Sequence, residues 1–317
     1  MKILITGSAG FIGFNLAAHL LKKKCYITGI DNYDDYYDVS IKKKRTSILK
    51  KFKKFKFLKI DIKDNIKIKK LFKKNKFDFV FHLAAQAGVR YSINHPRKYI
   101  ENNLVGFYNI LENSEKYKIK RLFFASSSSV YGENNNFPLN EKENIFPKNI
   151  YGLSKKVNEE IGFIFNKYYN VKLIGLRFFT VFGEWGRPDM MMFKFIDSYY
   201  KNKLFNLNNY GNHSRDFTYI GDVVNILYLL LKKHKKLKNF DLFNICSNKP
   251  VNLKAVILFM KKNKINPRIK KVSLQKADIL KTHGDNSKLL RFIKYNSFSN
   301  WQDSLKKTII WYQKNII

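Results

Sequence analysis

Lys2-Ile3-Leu4-Ile5-Thr6-Gly7-Ser8-Ala9-Gly10-Phe11-Ile12-Gly13 opens the chain, and the reading of the rest follows from it. Ile3, Leu4 and Ile5 form a short apolar run of the kind a strand buried on both faces needs. The run stops at Gly7, and glycine recurs at positions 10 and 13. From residue 11 to residue 21 the apolar side chains return at helical spacing. Glycine serves where a backbone turns sharply and where a phosphate must come close. The helix start behind it offers free N–H groups and a positive dipole. Strand, glycine turn and helix together make a cradle for a pyrophosphate.

Outward from this unit, residues 26–31 read as a second strand ending in Asp31. A carboxylate there accepts from both hydroxyls of an adenosine ribose and repels a 2′-phosphate, so NAD is favoured over NADP. The basic run 42–45 softens that repulsion. Residues 57–61, 79–83, 122–126 and 172–178 read as further strands, with helical patterns over 98–116 and 151–168. Asp61 and Ile62 close the third strand at the sheet edge, where an adenine would lie. Alternation of this kind predicts an α/β fold, a Rossmann-type doubly wound parallel sheet. After Phe178 the pattern changes. Residues 183–189 and 206–215 are rich in glycine and polar groups, 216–231 reads as a turn and a long apolar helix, and 242–245 as another strand. The C-terminal stretch reads as irregular. The expected division is a NAD-binding domain over 1–180, with 216–245 returning to it. Residues 181–215 and 246–317 would form a smaller C-terminal substrate-binding lobe.

The 317 residues include 45% hydrophobic and 16% aromatic side chains, enough for a large core and unlike a disordered chain. No apolar run approaches the ~20 residues of a membrane span. The N-terminal apolar stretch is short for a secretory signal. Cys25 and Cys246 are too few for a disulfide framework. A cytoplasmic protein without membrane insertion is expected. Lys+Arg is 61 against Asp+Glu 24, a net charge of +37. The lysines are scattered in many clusters without zinc-finger spacing or an RNA-binding aromatic signature, so they read as solvated faces and no nucleic-acid partner is expected. The six histidines show no metal-ligand spacing, and no metal is expected.

Tyr151-Gly152-Leu153-Ser154-Lys155 sets Tyr and Lys four apart, on one face of a helix. A free tyrosine has a pKa of ~10 and is a poor base at neutral pH. A neighbouring ammonium and a cationic nicotinamide favour its phenolate. Such a phenolate can take a proton from a sugar hydroxyl while hydride leaves the carbon. Ser126-Ser127-Ser128-Ser129 ends the fifth strand, at the sheet edge where ligands of this fold sit.

Gly7-x-x-Gly10-x-x-Gly13, His82-Leu83-Ala84-Ala85-Gln86, Ser127 with Tyr131-Gly132, Tyr151-x-x-x-Lys155 and Arg215-Asp216-Phe217-Thr218-Tyr219 occur in order along nearly the whole chain. Together they resemble the extended short-chain dehydrogenase/reductase family, in its nucleotide-sugar epimerase/dehydratase branch. Ala87-Gly88-Val89-Arg90-Tyr91-Ser92 and the stretch 177–190 are most similar to UDP-glucuronate 4-epimerases. The resemblance implies Tyr151 as base, Lys155 as its activator and Ser127 as partner of the reacting oxygen. It implies NAD contacts from Gly7, Gly10, Phe11, Ile12, Gly13, Asp31 and Asn32 on one side. Asp61, Ile62, Leu83, Ala84, Ala85 and Asn102 would add to them, with Tyr151 and Lys155. Substrate contacts are implied for Gln86, Arg90, Ser127, Ser128, Thr180, Arg187, Arg215 and Asp278. Asp278 stands where the family has a Pro-Gly-Asp turn, from which Lys276 and Ala277 depart.

Dehydratases of this branch carry Asp-Glu where this chain has Ser128 and Ser129, and hydroxyls cannot do that proton transfer. The implied reaction is therefore C4 epimerisation of a UDP-sugar through a 4-keto intermediate. UDP-glucuronate is the expected substrate, and UDP-glucose or a UDP-N-acetylhexosamine the alternative. A 4-keto uronate can lose CO₂, so Ser127, Ser128 and Thr180 are expected to hold its carboxylate. Apolar Val157, Ile161, Ile164 and Phe165 suggest helices paired across a homodimer as a four-helix bundle.

Overall fold

The computed structural model describes residues 1–275, 278–295 and 297–316. The first half alternates strand and helix: β1 (Lys2–Thr6), α1 (Phe11–Lys22), β2 (Tyr26–Asp31), α2 (Val39–Lys50), β3 (Phe55–Lys59), α3 (Asn65–Lys74) and β4 (Phe79–His82). Two single-turn helices follow, α4 (Tyr91–Asn94) and α5 (Pro96–Tyr99). A π-helical stretch (Ile100–Val105) then runs into α6 (Gly106–Lys116), β5 (Arg121–Ser127), α7 (Ile150–Tyr169) and β6 (Leu173–Phe178). Beyond these come β7 (Thr180–Phe182), α8 (Met191–Tyr200), β8 (Phe205–Asn208), β9 (Ser214–Tyr219), α9 (Ile220–Lys232) and β10 (Phe240–Ile245). The chain continues with β11 (Pro250–Asn252), α10 (Leu253–Lys262), β12 (Ile269–Val272), α11 (Ser287–Ile293) and α12 (Trp301–Asn315).

Among the described residues seven strands form one sheet in the order β10-β6-β5-β4-β1-β2-β3, and every pairing in it is parallel. This is the doubly wound arrangement expected from the alternation. One face is covered by α1, α9 and α11, whose Leu16, Leu20, Val223, Leu227 and Leu289 join Ile3 and Ile5 in a core without solvent access. The other face is covered by α3 and α6 through Ile68, Phe72, Phe107 and Ile110. A third cluster lies outside the sheet, where Phe193 and Ile196 of α8 meet Phe205, Phe217, Val256 and Ile309.

Several expectations shift. The third strand runs over Phe55–Lys59, not 57–61. It is an edge strand with lysines at 56 and 59, and Asp61 is spent instead on accepting from the Lys63 N–H. Arg215-Asp216-Phe217-Thr218-Tyr219 is a strand, β9, paired with both β7 and β11. Its polar residues hid it: Asp216 is buried and accepts from the backbone N–H groups of Ser247, Asn248 and Gly284. The irregular C-terminal stretch contains α10, α11 and α12. Ile161 and Phe165 pack into the core under α7, whereas Ile164 is exposed. The basic run 42–45 is not simply solvated. Arg45 has no exposed surface and donates to the carbonyls of Ala9, Trp185 and Gly186 and to the Tyr37 hydroxyl. It thereby ties α2 to the glycine turn and to the loop before α8.

Replacing Arg45 by Met leaves those carbonyls buried without donors. The expected loss is about 2–4 kcal/mol of folding free energy, read from urea unfolding of the ligand-free protein.

Candidate active site

Strand order reverses between β1 and β4, which leave the sheet centre in opposite directions, and a cleft of 430 Å³ opens at their C-terminal ends. Its floor is the glycine turn. Gly7 has φ +69°, and a Cβ there would sit 2.7 Å from the Ala84 nitrogen. A Cβ on Gly13 would meet the Gly7 carbonyl at 2.1 Å. The three glycines thus let the turn lie flat against the strand after β4 and leave the cleft open above it. Gly10 starts α1 without a side-chain cap, so the helix N–H groups face the cleft. Asp31 stands at its rim. Ala9 N–H donates to its Oδ2 (3.1 Å) and Tyr33 N–H to its Oδ1 (2.9 Å), which leaves each oxygen a free lone pair. Burial raises its pKa, against Lys42 and those two N–H groups.

The reacting residues come from β5 and α7. Gly152, next to Tyr151, allows the helix to approach closely: a Cβ there would lie 2.6 Å from the Ser129 carbonyl. Ser127 caps the short turn of the serine run, accepting from Ser129 N–H at 3.1 Å. Its hydroxyl and the Tyr151 phenol line the same cleft. Lys155 is buried one turn further along α7. Burial raises the Tyr151 pKa, and Ser127 and the Arg187 charge pull it back. Arg187 is thus a cation bearing on the phenol in addition to the expected Lys155, which is itself desolvated. Burial lowers Lys155 to about 8, with the charge of Glu159 opposing the shift.

Phe11 and Ile12 line the cleft beside α1, Asn32 and Ile62 the side of β2 and β3, and Leu83, Ala84, Ala85 and Gln86 the strand end after β4. Asn102 lines it from the π-helical stretch. Ser128, Thr180, Arg187, Arg215 and Asp278 form the opposite wall. Two expected residues do not line this cleft directly. Asp61 lies behind Asn32, whose Nδ2 donates to it at 3.0 Å, and so orients a lining residue rather than lining the cleft. Arg90 lies on a neighbouring cavity of 200 Å³ and is paired in two hydrogen bonds, 3.0 and 2.7 Å, to Asp278. Arg215 and Arg187 line both cavities. Burial lowers Arg215 to about 10. The departure at Lys276 and Ala277 lies outside the described residues.

The sequence reading missed other participants. Asn103 accepts from Gln86 N–H (2.7 Å) and donates to the Ser154 hydroxyl (2.9 Å), bridging the strand end after β4 to α7. The tandem Asn102-Asn103 was its only visible trace. Thr6 accepts from Ala84 N–H and shares a 2.9 Å hydrogen bond with His82 Nδ1. Burial, with Lys155 nearby, holds His82 neutral at about 3. Tyr36, beyond β2, donates to Asp189 at 3.1 Å, and Asp189 pairs with Arg187. That contact crosses the cleft, and no local pattern announces it. Among the described residues no group of three His, Cys, Asp or Glu side chains gathers as a metal would need, and no helix is long and apolar enough to cross a membrane.

An open, glycine-floored cradle facing a helix start, with a carboxylate at the ribose side, fits a dinucleotide such as NAD. Relatives match this architecture over its full length. Protein CapI of Staphylococcus aureus is 40% identical over 98% of this chain and 98% of its own length. UDP-glucuronate 4-epimerase 4 of Arabidopsis thaliana is 36% identical over 98% of this chain and 75% of its own. The crystal structure of UDP-glucuronic acid 4-epimerase from Bacillus cereus, in complex with UDP-glucuronic acid and NAD, superposes with a TM-score of 0.92 at 28% identity, covering 99% of both chains. A sequence model of one family spans residues 3–246, from the first strand to just past the last strand of the large sheet, and by that match the chain belongs to the NAD dependent epimerase/dehydratase family.

Proposed function

We propose that this protein interconverts UDP-glucuronate and UDP-galacturonate by oxidising and re-reducing C4. The observation that carries the reading is the meeting of Tyr151, Ser127 and Lys155 at the glycine-floored cleft, with hydroxyls and no general acid in the serine run. The division of labour follows the chain: residues 1–180 with 216–245 hold the cofactor, and 181–215 with 246–317 hold the nucleotide sugar. NAD bound here supplies a reversible hydride acceptor for the sugar carbon. Tyr151 takes the O4 proton and later returns it, and Ser127 orients the reacting oxygen. Lys155, as an ammonium, favours the phenolate and holds the nicotinamide ribose. Arg215 and Arg187 meet the diphosphate, which keeps the nucleotide fixed while the planar keto sugar turns over.

A 4-keto uronate loses CO₂ when its carboxylate bond stands perpendicular to the carbonyl plane. Ser127 ends β5, paired in register with Phe178 at the end of β6, and Thr180 follows two residues later as the first residue of β7. With Ser128 they offer hydroxyl donors that hold the carboxylate near the plane. The neutral-sugar alternative uses the same reacting set and lacks a need for these donors.

We also read the protein as a cytoplasmic homodimer serving polysaccharide biosynthesis. Leu153, Ile164 and Tyr168 of α7, with Tyr108 of α6, are large, exposed and apolar in body, and a second copy of the chain would cover them.

Purified protein with no added cofactor should convert UDP-glucuronate to its C4 epimer, resolved by NMR; conversion of UDP-glucose alone would overturn the uronate assignment. Tyr151→Phe should lower kcat by about 10²–10⁴-fold with bound NAD retained. Thr180→Val should raise the share of decarboxylated pentose product, and an unchanged product ratio would count against the carboxylate clamp. Light scattering at micromolar concentration should give twice the chain mass.

A further inference from the structure

Tyr151, Lys155 and Glu159 follow one another at four-residue steps and share one face of α7. The first two are at the reacting centre. The third is 4% exposed and faces away from the cleft, toward the sheet. Ser126 donates to its Oε1 (2.5 Å), and Arg177 donates to Oε1 from Nε (2.9 Å) and to Oε2 from Nη2 (2.7 Å). Ser126 and Arg177 are register partners on β5 and β6, each 2% exposed. Glu159 therefore clips α7 to two adjacent strands at once. Ser126 directly precedes Ser127 in the same strand. Oε1 accepts two of these bonds and Oε2 one, and among the described residues no hydrogen bond or ion pair joins Glu159 to Lys155, so any action on Lys155 is through charge.

We propose that Glu159, held by Ser126 and Arg177, is a positioning residue of the reacting centre: it sets where α7 presents Tyr151 to Ser127 and stands one turn beyond Lys155 with the opposite charge. The proposal rests on the hydride shuttle above. A buried ion pair contributes little net stability compared with apolar packing, and its better-attested use is to specify register. A slip of α7 by one turn would leave a buried carboxylate and guanidinium unpaired. The charges bearing on Lys155 among the described residues are Glu159 from α7 itself and, from β4, His82, which is neutral. Burial has already drawn Lys155 down to about 8, with Glu159 opposing. Loss of the Glu159 charge lets it fall further.

The test compares the holoenzyme with Glu159→Gln, which keeps shape and acceptor, and with the double variant Glu159→Gln/Arg177→Met, which leaves no unpaired buried charge. In both, the alkaline limb of kcat should move about one pH unit lower, with KM within about twofold of the parent. A second readout needs no turnover. A lysine whose folded pKa lies below its unfolded value makes stability rise with pH between the two. In the variants that window opens earlier. The difference in Tm between variant and parent, measured without ligand, should therefore rise between about pH 7 and 8. A folded double variant with the parental alkaline limb and a pH-independent Tm difference overturns the proposal. A parent that does not epimerise UDP-glucuronate overturns the functional reading instead, and the Tm difference still decides this one.

Discussion

A parallel sheet wound on both faces must reverse its direction of winding at one place, and everything in this molecule is arranged around that place. The reversal lies between β1 and β4, where crossovers to opposite faces leave a crevice that no helix fills. β1 must deliver the chain into a turn shallow enough to floor the crevice without closing it. Gly7 and Gly13 do this because side chains there would collide with backbone atoms 2.1 to 2.7 Å away. The strand ends on either side then supply the remaining walls: Asp31 from β2, Ala84 and Gln86 after β4, the serine run from β5 and Thr180 after β6.

Placing charges in such a crevice is costly, and the protein offsets the cost in two ways. Some charges are fully paired within the fold. Arg177 and Glu159 satisfy each other, and Arg45 donates to three carbonyls of two separate segments. Others are left under tension. Lys155 is buried with only a remote counter-charge, and Tyr151 is pushed up by burial while Ser127 and Arg187 pull it down. Groups whose protonation states lie close in free energy exchange protons with little reorganisation, which a reversible oxidation requires. Arg187 is held in its charged form by Asp189 against burial, so the fold provides one fixed cation beside two adjustable groups.

The second cavity is built differently. Arg90 and Asp278 satisfy each other at its edge, while Met192, Phe193 and Phe217 are among its apolar walls. That cavity and the cleft at Tyr151 are lined largely by separate segments, with Arg187 and Arg215 shared between the two. In the proposed reaction such a separation would let one end of the substrate stay fixed while the other rotates.

Strand–helix alternation, the glycine turn, Asp31 and the Tyr151/Lys155 pair were legible along the chain because each depends on neighbours a few residues apart. Period-two and 3.6-residue patterns and the spacing of turn glycines are local properties. β9 escaped because its buried polar groups Asp216 and Thr218 are satisfied by segments distant in sequence, so its composition resembles a turn. Asp61 and Arg90 were assigned to the cleft, and the fold set one behind Asn32 and the other beside Asp278. The sequence by itself determined the fold class, the cofactor cradle and the residues able to move a proton. Only the tertiary structure decided which charges meet: that Arg187 bears on the phenol, and that Ser126, Arg177 and Glu159 lock together. Electrostatic energy depends on separation and burial in three dimensions, and neither can be read from position along a chain.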